Sequence, residues 1–405
     1  MVKIILKLLK SVANLLLGTM ALLILIFTIK YITCPVFTFE KAQPFSGNKI
    51  YNPYDGIKST NWQKANFQVQ SYAWSGITSG RGNTNQEIYD VYKRLGYDVI
   101  ATSDYQKINR FREGDPSYIP VYEHGYGIRK NHQVLIGAKK VMWKDYPIFQ
   151  TIHNKQNILN NLREQNELVY IAHPKLREGY QPEDMELLSN YDGIEVLNNY
   201  RTSLEHWDAA LSSGKYVTIL GNDDAHDISN PDEIGHHCTF INAPTNRRED
   251  VISALKAGRS FGAKIYRPNG ESFADKIDRI RILPIIQSVE VKNDTLFIEC
   301  DSVATAFRFL GQNGRILKTS GPSASASYHI QAEDHYVRAE IEFPGKSIFY
   351  LNPIARYDNK FPHNNNIPVI DTFKTSILRI IGFASLVFIF LNILFLRKRI
   401  KSDKK

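Results

Sequence analysis

Two charge-free apolar runs bracket this 405-residue chain, one at 11–29 and the other at 380–396. A helix needs about 20 apolar residues to cross a bilayer. Each run reaches that length with one more turn, and Lys30 and Arg379 can snorkel at the ends. The first run is longer than the apolar core of a cleaved leader. No small-residue cleavage site follows it before Lys30-Tyr31-Ile32-Thr33-Cys34-Pro35. It is read as an uncleaved anchor. A chain anchored twice must fold everything between the anchors on one side of the membrane.

Charge chooses the side. Lys3, Lys7 and Lys10 precede the first run, and Arg397, Lys398, Arg399, Lys401, Lys404 and Lys405 follow the second. The positive-inside rule places both termini in the cytoplasm. Residues 40–372 then lie outside it, in a periplasm or beyond. Those nine cations, less Asp403, supply +8 of the formal +9. The basic balance therefore reports topology, and no nucleic-acid partner is expected. Ser385 and Asn392 in the second run could meet the helix of a membrane protein partner. Isolated polar residues also occur in spans without one.

The expected order is a tail at 1–10, a transmembrane helix at 11–33 and a linker at 34–62. An α/β domain follows at 63–284 and an all-β domain at 285–357. A linker at 358–375, a second transmembrane helix at 376–396 and a basic tail at 397–405 complete it. Of three cysteines, Cys238 and Cys300 could pair, but they fall in different expected domains and read as free thiols.

The α/β assignment rests on alternation. Runs at 65–70, 97–102, 118–122, 132–138, 168–172, 193–197 and 216–220 read as strands. Helical spacing appears at 84–95, 154–165, 182–189, 204–213 and 248–258. The first helix opens with a capping box, Thr84 and Glu87, and stops at Gly96. Seven strands interleaved with helices predict a parallel sheet, open or closed. After about 285 short alternating runs and the Asn313-Gly314 turn predict a small β-sandwich, with 322–327 as a flexible loop.

The chemistry gathers at strand ends. The run 216–220 stops at Gly221-Asn222-Asp223-Asp224-Ala225-His226-Asp227. Carboxylates with imidazole suit Zn²⁺, Mn²⁺ or Fe, though Asn and Asp also cap helices. Asp104, Glu123 and His173 stand just past three other strands. In α/β barrels that edge carries the active site.

Taken together these segments resemble the PHP (polymerase and histidinol phosphatase) superfamily, in its CehA/McbA-like branch. Residues 65–71 resemble its first motif, normally His-x-His, and 96–104 its second. Ala172-His173-Pro174 and Asp224-Ala225-His226 match later motifs. Residues 254–260 and 350–354 look like the branch. The resemblance covers about 62–357. It implies a distorted (βα)7 barrel, followed here by the sandwich, and a site for up to three divalent ions that hydrolyse phosphate esters.

Carried over residue by residue, one metal pocket is Glu123, His132 and His173, with His153 as the alternative to His132. A second shares Glu123 and adds Asp224 with positions 68 and 70. A third uses position 105 and His226, with Asp104 nearby. Here the sequence departs, because those positions are Gln68, Gln70 and Tyr105. Glutamine offers only a neutral amide oxygen. The resemblance then implies one or two ions (Zn, Mn or Fe), with Asp104, Asp224 and His226 as candidate catalytic groups and Asp223 as a further carboxylate. The expected function is hydrolysis of a phosphate ester at the envelope. The alternative is an inactive binding or scaffolding subunit of an envelope complex.

Other groups stay open. His124, His236 and His237 could support the ligands or be structural. Tyr72, Trp74, Tyr105, Tyr118, Tyr122 and Tyr126 could stack on a substrate or simply pack. Arg110, Arg112, Arg129 and Lys130 could meet phosphate or lie solvated in loops. Asn198 and Asn199 could contact substrate or make a turn.

Overall fold

A computed structural model describes residues 2–76, 80, 82–359, 361 and 367–402, with side chains as far as Leu396. The basic tail 397–405 lies outside the described residues, apart from helical backbone to Ser402. Among the described residues the chain is mixed α/β with eight helices.

Two of these, Val2–Ile32 and the Thr372–Leu396 part of Thr372–Ser402, are long and apolar enough to cross a membrane, and their apolar stretches are not buried inside the protein. The end of the first meets the beginning of the second. Arg379 donates to the Thr33 carbonyl at 2.7 Å, and the Val36 amide donates to Thr375 Oγ1 at 3.0 Å. Phe37–Thr38 pairs antiparallel with Val369–Ile370. At Gly382 a Cβ would stand 2.8 Å from the Ile32 side chain, so a larger residue there would push the two helices or that side chain apart.

The seven strands read from the sequence form with shifted ends. They are β1 (Trp62–Asn66), β2 (Val99–Ile100), β3 (Val121–His124), β4 (Gln133–Ala138), β5 (Asn166–Ile171), β6 (Gly193–Asn198) and β7 (Thr218–Asn222). β1 pairs with β2, and β3 to β7 pair in sequence. Two single bridges join the groups: Tyr105 to Glu123, and Val69 to Ala225. Backbone pairing thus runs in a closed circuit. It is not all parallel, as the alternation suggested: β4 is antiparallel to both β3 and β5. The loop 125–132 between β3 and β4 is too short for a parallel crossover.

Both faces of the strands are covered. Inside lie Phe67, Val121, Val134, Ile136, Leu168 and Leu220. Outside, Leu135, Val169, Val196 and Ile194 pack on Ile158, Leu162 and Trp207 from helices Ile152–Arg163 and Leu204–Ser212. Double burial explains why these strands read as continuous apolar runs.

Among the strands not legible in sequence are β8 (His237–Asn242) and β9 (Ser260–Lys264). β8 is antiparallel to β1 and to β9. They tie the circuit to the C-terminal strands β10 (Ile286–Lys292), β11 (Thr295–Ala304), β12 (Ala306–Leu310), β13 (Ile316–Ser320), β14 (Ser323–His329), β15 (Tyr336–Glu342), β16 (Ile348–Leu351) and β17 (Ile354–Tyr357). β9 pairs with β16, so one sheet runs β13-β12-β15-β16-β9-β8-β1-β2. β10, β11 and β14 form a separate three-stranded sheet.

Residues 322–327, expected as a flexible loop, are mostly strand β14, paired with β11 through Ser327–Phe297 and Ala326–Ile298. Alternating Ser and Ala carry no apolar signal, yet small side chains fit a pleated face. The linker 34–62 also orders: Lys49–Tyr51 pairs with β17. All three cysteines are free thiols.

Candidate metal centre

Glu123 lies on β3, where Val121 faces the inner cluster and Tyr122 the outer one. Period-two alternation therefore turns Glu123 inward. His132 immediately precedes β4. His173 follows β5 at φ +28°, a left-handed backbone that a non-glycine residue adopts only when its surroundings enforce it. Gly125 makes room for this arrangement. Its φ is +120°, and a Cβ there would stand 2.6 Å from the His132 ring.

These elements bring Glu123, His132 and His173 together. All three are buried, and their ligand atoms lie within 4.8 Å of one another. His132 Nδ1 is hydrogen-bonded to Glu123 Oε1, and His173 Nε2 lies 3.3 Å from the same oxygen. The other carboxylate oxygen accepts from Gln70 Nε2 at 2.8 Å.

Burial alone would raise Glu123, but His132 and His173 outweigh it and hold the carboxyl below its ordinary range. Burial would lower His173. The Glu123 hydrogen bond and the Asp224, Glu123 and Glu195 charges instead push it up to about 9. For His132 burial wins, and it falls below its ordinary value. Burial, reinforced by Glu123 and Asp224, raises Tyr105 well above 10. Position 105 therefore offers a neutral phenol.

Asp224 sits beside this cluster at φ +51°. Asn198 donates to its Oδ2 at 3.1 Å, while Oδ1 is buried without a partner. Burial, and the nearby Glu123, raise its pKa. Gln68 is also buried with both amide atoms unpartnered, next to the Asp224 amide that donates to its carbonyl at 2.9 Å. A carboxylate and two imidazoles within reach of one point, with a spare carboxylate oxygen alongside, suit one divalent ion.

The other candidates take different places. Asp104 accepts from the Ser71 amide at 2.9 Å, Ser71 Oγ at 2.8 Å and Asn109 at 2.8 Å, so its oxygens are held by the 71–109 loops. Asp223 accepts the backbone amides of Gly235, His236 and His237 and the Tyr92 hydroxyl. It pins the turn before β8 rather than the centre. His226 is half-buried, its Nδ1 3.0 Å from the Asp224 carbonyl. His153 contacts the Phe37 amide near the helix ends. His124 bonds Gln133 and the Lys144 carbonyl. His236 meets Lys276.

Sequence reasoning missed Glu195. It is fully buried on β6 and accepts from Asn222 at 2.8 Å, Asn198 at 3.0 Å and the His173 amide at 3.1 Å. Burial, with Asp224 adding, pushes it up to about 8. A lone Glu inside Gly-Ile-Glu-Val-Leu was the available signal.

A cleft of about 900 Å³ opens beside the centre, with Tyr105, Gln106, Lys130, His132 and His226 among its lining residues.

No family model matches the chain, and no curated protein matches it. One solved structure is similar: a two-domain protein from Bacteroides vulgatus containing a predicted PHP-like metal-dependent phosphoesterase. It shares 14% identity at a TM-score of 0.38, over 78% of this chain and 100% of that one. That likeness is too distant to assign a fold detail or an activity.

Proposed function

We propose that the chain is a membrane-anchored, PHP-like metal-dependent hydrolase of a phosphate ester. Its seven-strand circuit is read as the distorted barrel of that superfamily, followed by the sandwich at 285–357. The carrying observation is the buried Glu123–His132–His173 cluster, a carboxylate and two imidazoles that could hold a metal ion.

Glu123, His132 and His173 would hold a Zn, Mn or Fe ion, which when bound supplies an activated water and neutralises phosphate charge. Asp224, made more basic by burial and by Glu123, takes the proton of the attacking water. Lys130, over the Tyr105 ring, offers its cation to the phosphate oxygens. His226 on the cleft wall hands a proton to the leaving group. Asp104 positions the loop that carries Tyr105.

The cation count at both ends supports cytoplasmic termini, and the meeting of the two helices at one place supports a shared exit side. The main body is then extracytoplasmic.

A second reading has its own observation. Gln70 already occupies one oxygen of Glu123, so the site is partly satisfied without metal, as in an inactive binding or scaffolding subunit. Metal analysis of the purified full chain, with phosphomonoester and phosphodiester assays, separates the two. Metal-free, inactive protein sinks the hydrolase. Protease protection of both termini in sealed membranes checks the placement.

A further inference from the structure

The cleft is tied to the first membrane helix. Tyr126 and Trp143 line it together with His132 and His226. Lys30, in the last turn of helix Val2–Ile32, donates to Tyr126 Oη at 3.0 Å, and Tyr126 donates to the Trp143 carbonyl at 2.9 Å. The next residue, Tyr31, stacks on Phe149 at 4.6 Å and donates to its carbonyl at 2.8 Å. The mouth of the cleft therefore sits where that helix leaves its apolar run.

The lip is apolar in a way that solvent does not favour. In the cleft lining Trp143 is more than half exposed, and Trp74 and Tyr126 nearly so; Ile128, Ile148 and Phe149, close by in the chain, are more than half exposed as well. Contiguous exposed apolar groups of this kind mark an interaction surface. Tryptophan and tyrosine concentrate at membrane–water interfaces, and Lys30, bonded to Tyr126, and Lys130, in the cleft lining, add the positive charge that attracts anionic headgroups. Deeper in, Gln106 is buried with both amide atoms unpartnered, a polar floor beneath an apolar rim.

From this we infer that the cleft opens on the membrane surface and takes the phosphate headgroup of a lipid, the acyl chains staying against the lip. The inference rests on the hydrolase reading and names its substrate class: a lipid phosphate ester. Water supplies the oxygen of the new P–O bond, the ester P–O bond breaks, and the proton goes to the departing lipid alcohol.

The test uses the full chain in vesicles of phosphatidylcholine, phosphatidylglycerol and phosphatidic acid with brominated acyl chains, which quench tryptophan on contact. The chain has four tryptophans, and Trp207 is fully buried. Quenching should be present and should fall in Trp143→Phe and Trp74→Phe. Absent quenching, or quenching unchanged by both substitutions, overturns the inference. The Mn²⁺-loaded chain is then given a water-soluble aryl phosphate ester or the vesicle lipids. Turnover of the lipids at least about tenfold above the soluble ester supports it, because the remote lipid contacts contribute. Hydrolysis of the soluble ester alone overturns it and leaves the hydrolase reading standing. Hydrolysis of neither overturns both.

Discussion

Gln70 and Glu123 are hydrogen-bonded at 2.8 Å, amide nitrogen to carboxylate, while the other oxygen of Glu123 faces His132 and His173. One carboxylate thus serves a complete set of imidazoles on one side and a glutamine on the other. The glutamine turns its donor end to that carboxylate and leaves its amide oxygen buried without a partner.

Restoring imidazole at both glutamines tests this asymmetry. The Gln68→His, Gln70→His double variant should bind a second ion per chain, held between Glu123 and Asp224. Phosphate-ester hydrolysis should rise at least about tenfold, since a second ion clamps both the attacking and leaving oxygens. Metal analysis and turnover are the readouts. A variant unchanged in both would mean that the site has diverged beyond its first motif.

Removing the shared carboxylate should do two things. Glu123→Gln should abolish metal binding, and it should lower metal-free stability by about 3 kcal/mol, because it leaves buried charge unpaired. Metal analysis and denaturant unfolding read the two effects. Metal retained at wild-type stoichiometry would remove Glu123 from the ligand set.

The site was legible from sequence where its residues end strands. Glu123 and His173 end strands in the sequence, and the resemblance to the PHP superfamily grouped them with His132, nine residues after Glu123. Glu195 was not legible, because a residue inside an apolar strand looks like core until its partners are seen. Asp223 and Asp224 could not be told apart. Adjacent residues with opposite duties differ only in backbone direction, and Asp224 turns at φ +51°. Strand direction failed at β4, where a short loop reverses the chain. β8 and β9, and the start of β14, were among the strands that escaped notice, because mixed or small side chains hide period-two burial. Yet β8 and β9 join the two halves of the chain into one sheet.

The Asp223–Asp224 pair gives the third prediction. Asp223→Ala should cost about 3 kcal/mol or more, since it frees three buried amides and the Tyr92 hydroxyl. Asp224→Asn should cost far less stability and should cut hydrolysis by about 100-fold, as loss of a general base does. Unfolding curves and turnover of both variants check the split. Reversal of the two phenotypes would exchange their roles.

The last prediction concerns pH, and its sign follows from His173 and Glu195. In the metal-free chain His173 is pushed up to about 9, against roughly 6.5 when unfolded. Its contribution is complete below roughly pH 6.5 and is lost as pH rises through about 9. Glu195 is raised to about 8, so the fold keeps a proton that the unfolded chain gives up above roughly pH 4.3. That also costs stability as pH climbs toward 8. Glu123, held low, opposes neither, because its contribution is lost only as pH falls. The part of metal-free stability that His173 and Glu195 contribute should therefore fall between roughly pH 6.5 and about 9. It does so against the opposite trend of the buried Lys64, Lys215 and Lys276, whose lowered pKa values favour the fold as pH rises. Metal binding needs neutral His173 and releases its proton, so affinity should rise over the same window. The gap in Tm between Mn²⁺-loaded and chelator-treated full chain should widen from roughly pH 6.5 to about 9. Thermal unfolding at stepped pH measures it. A gap that stays flat or narrows would take His173 out of the metal site.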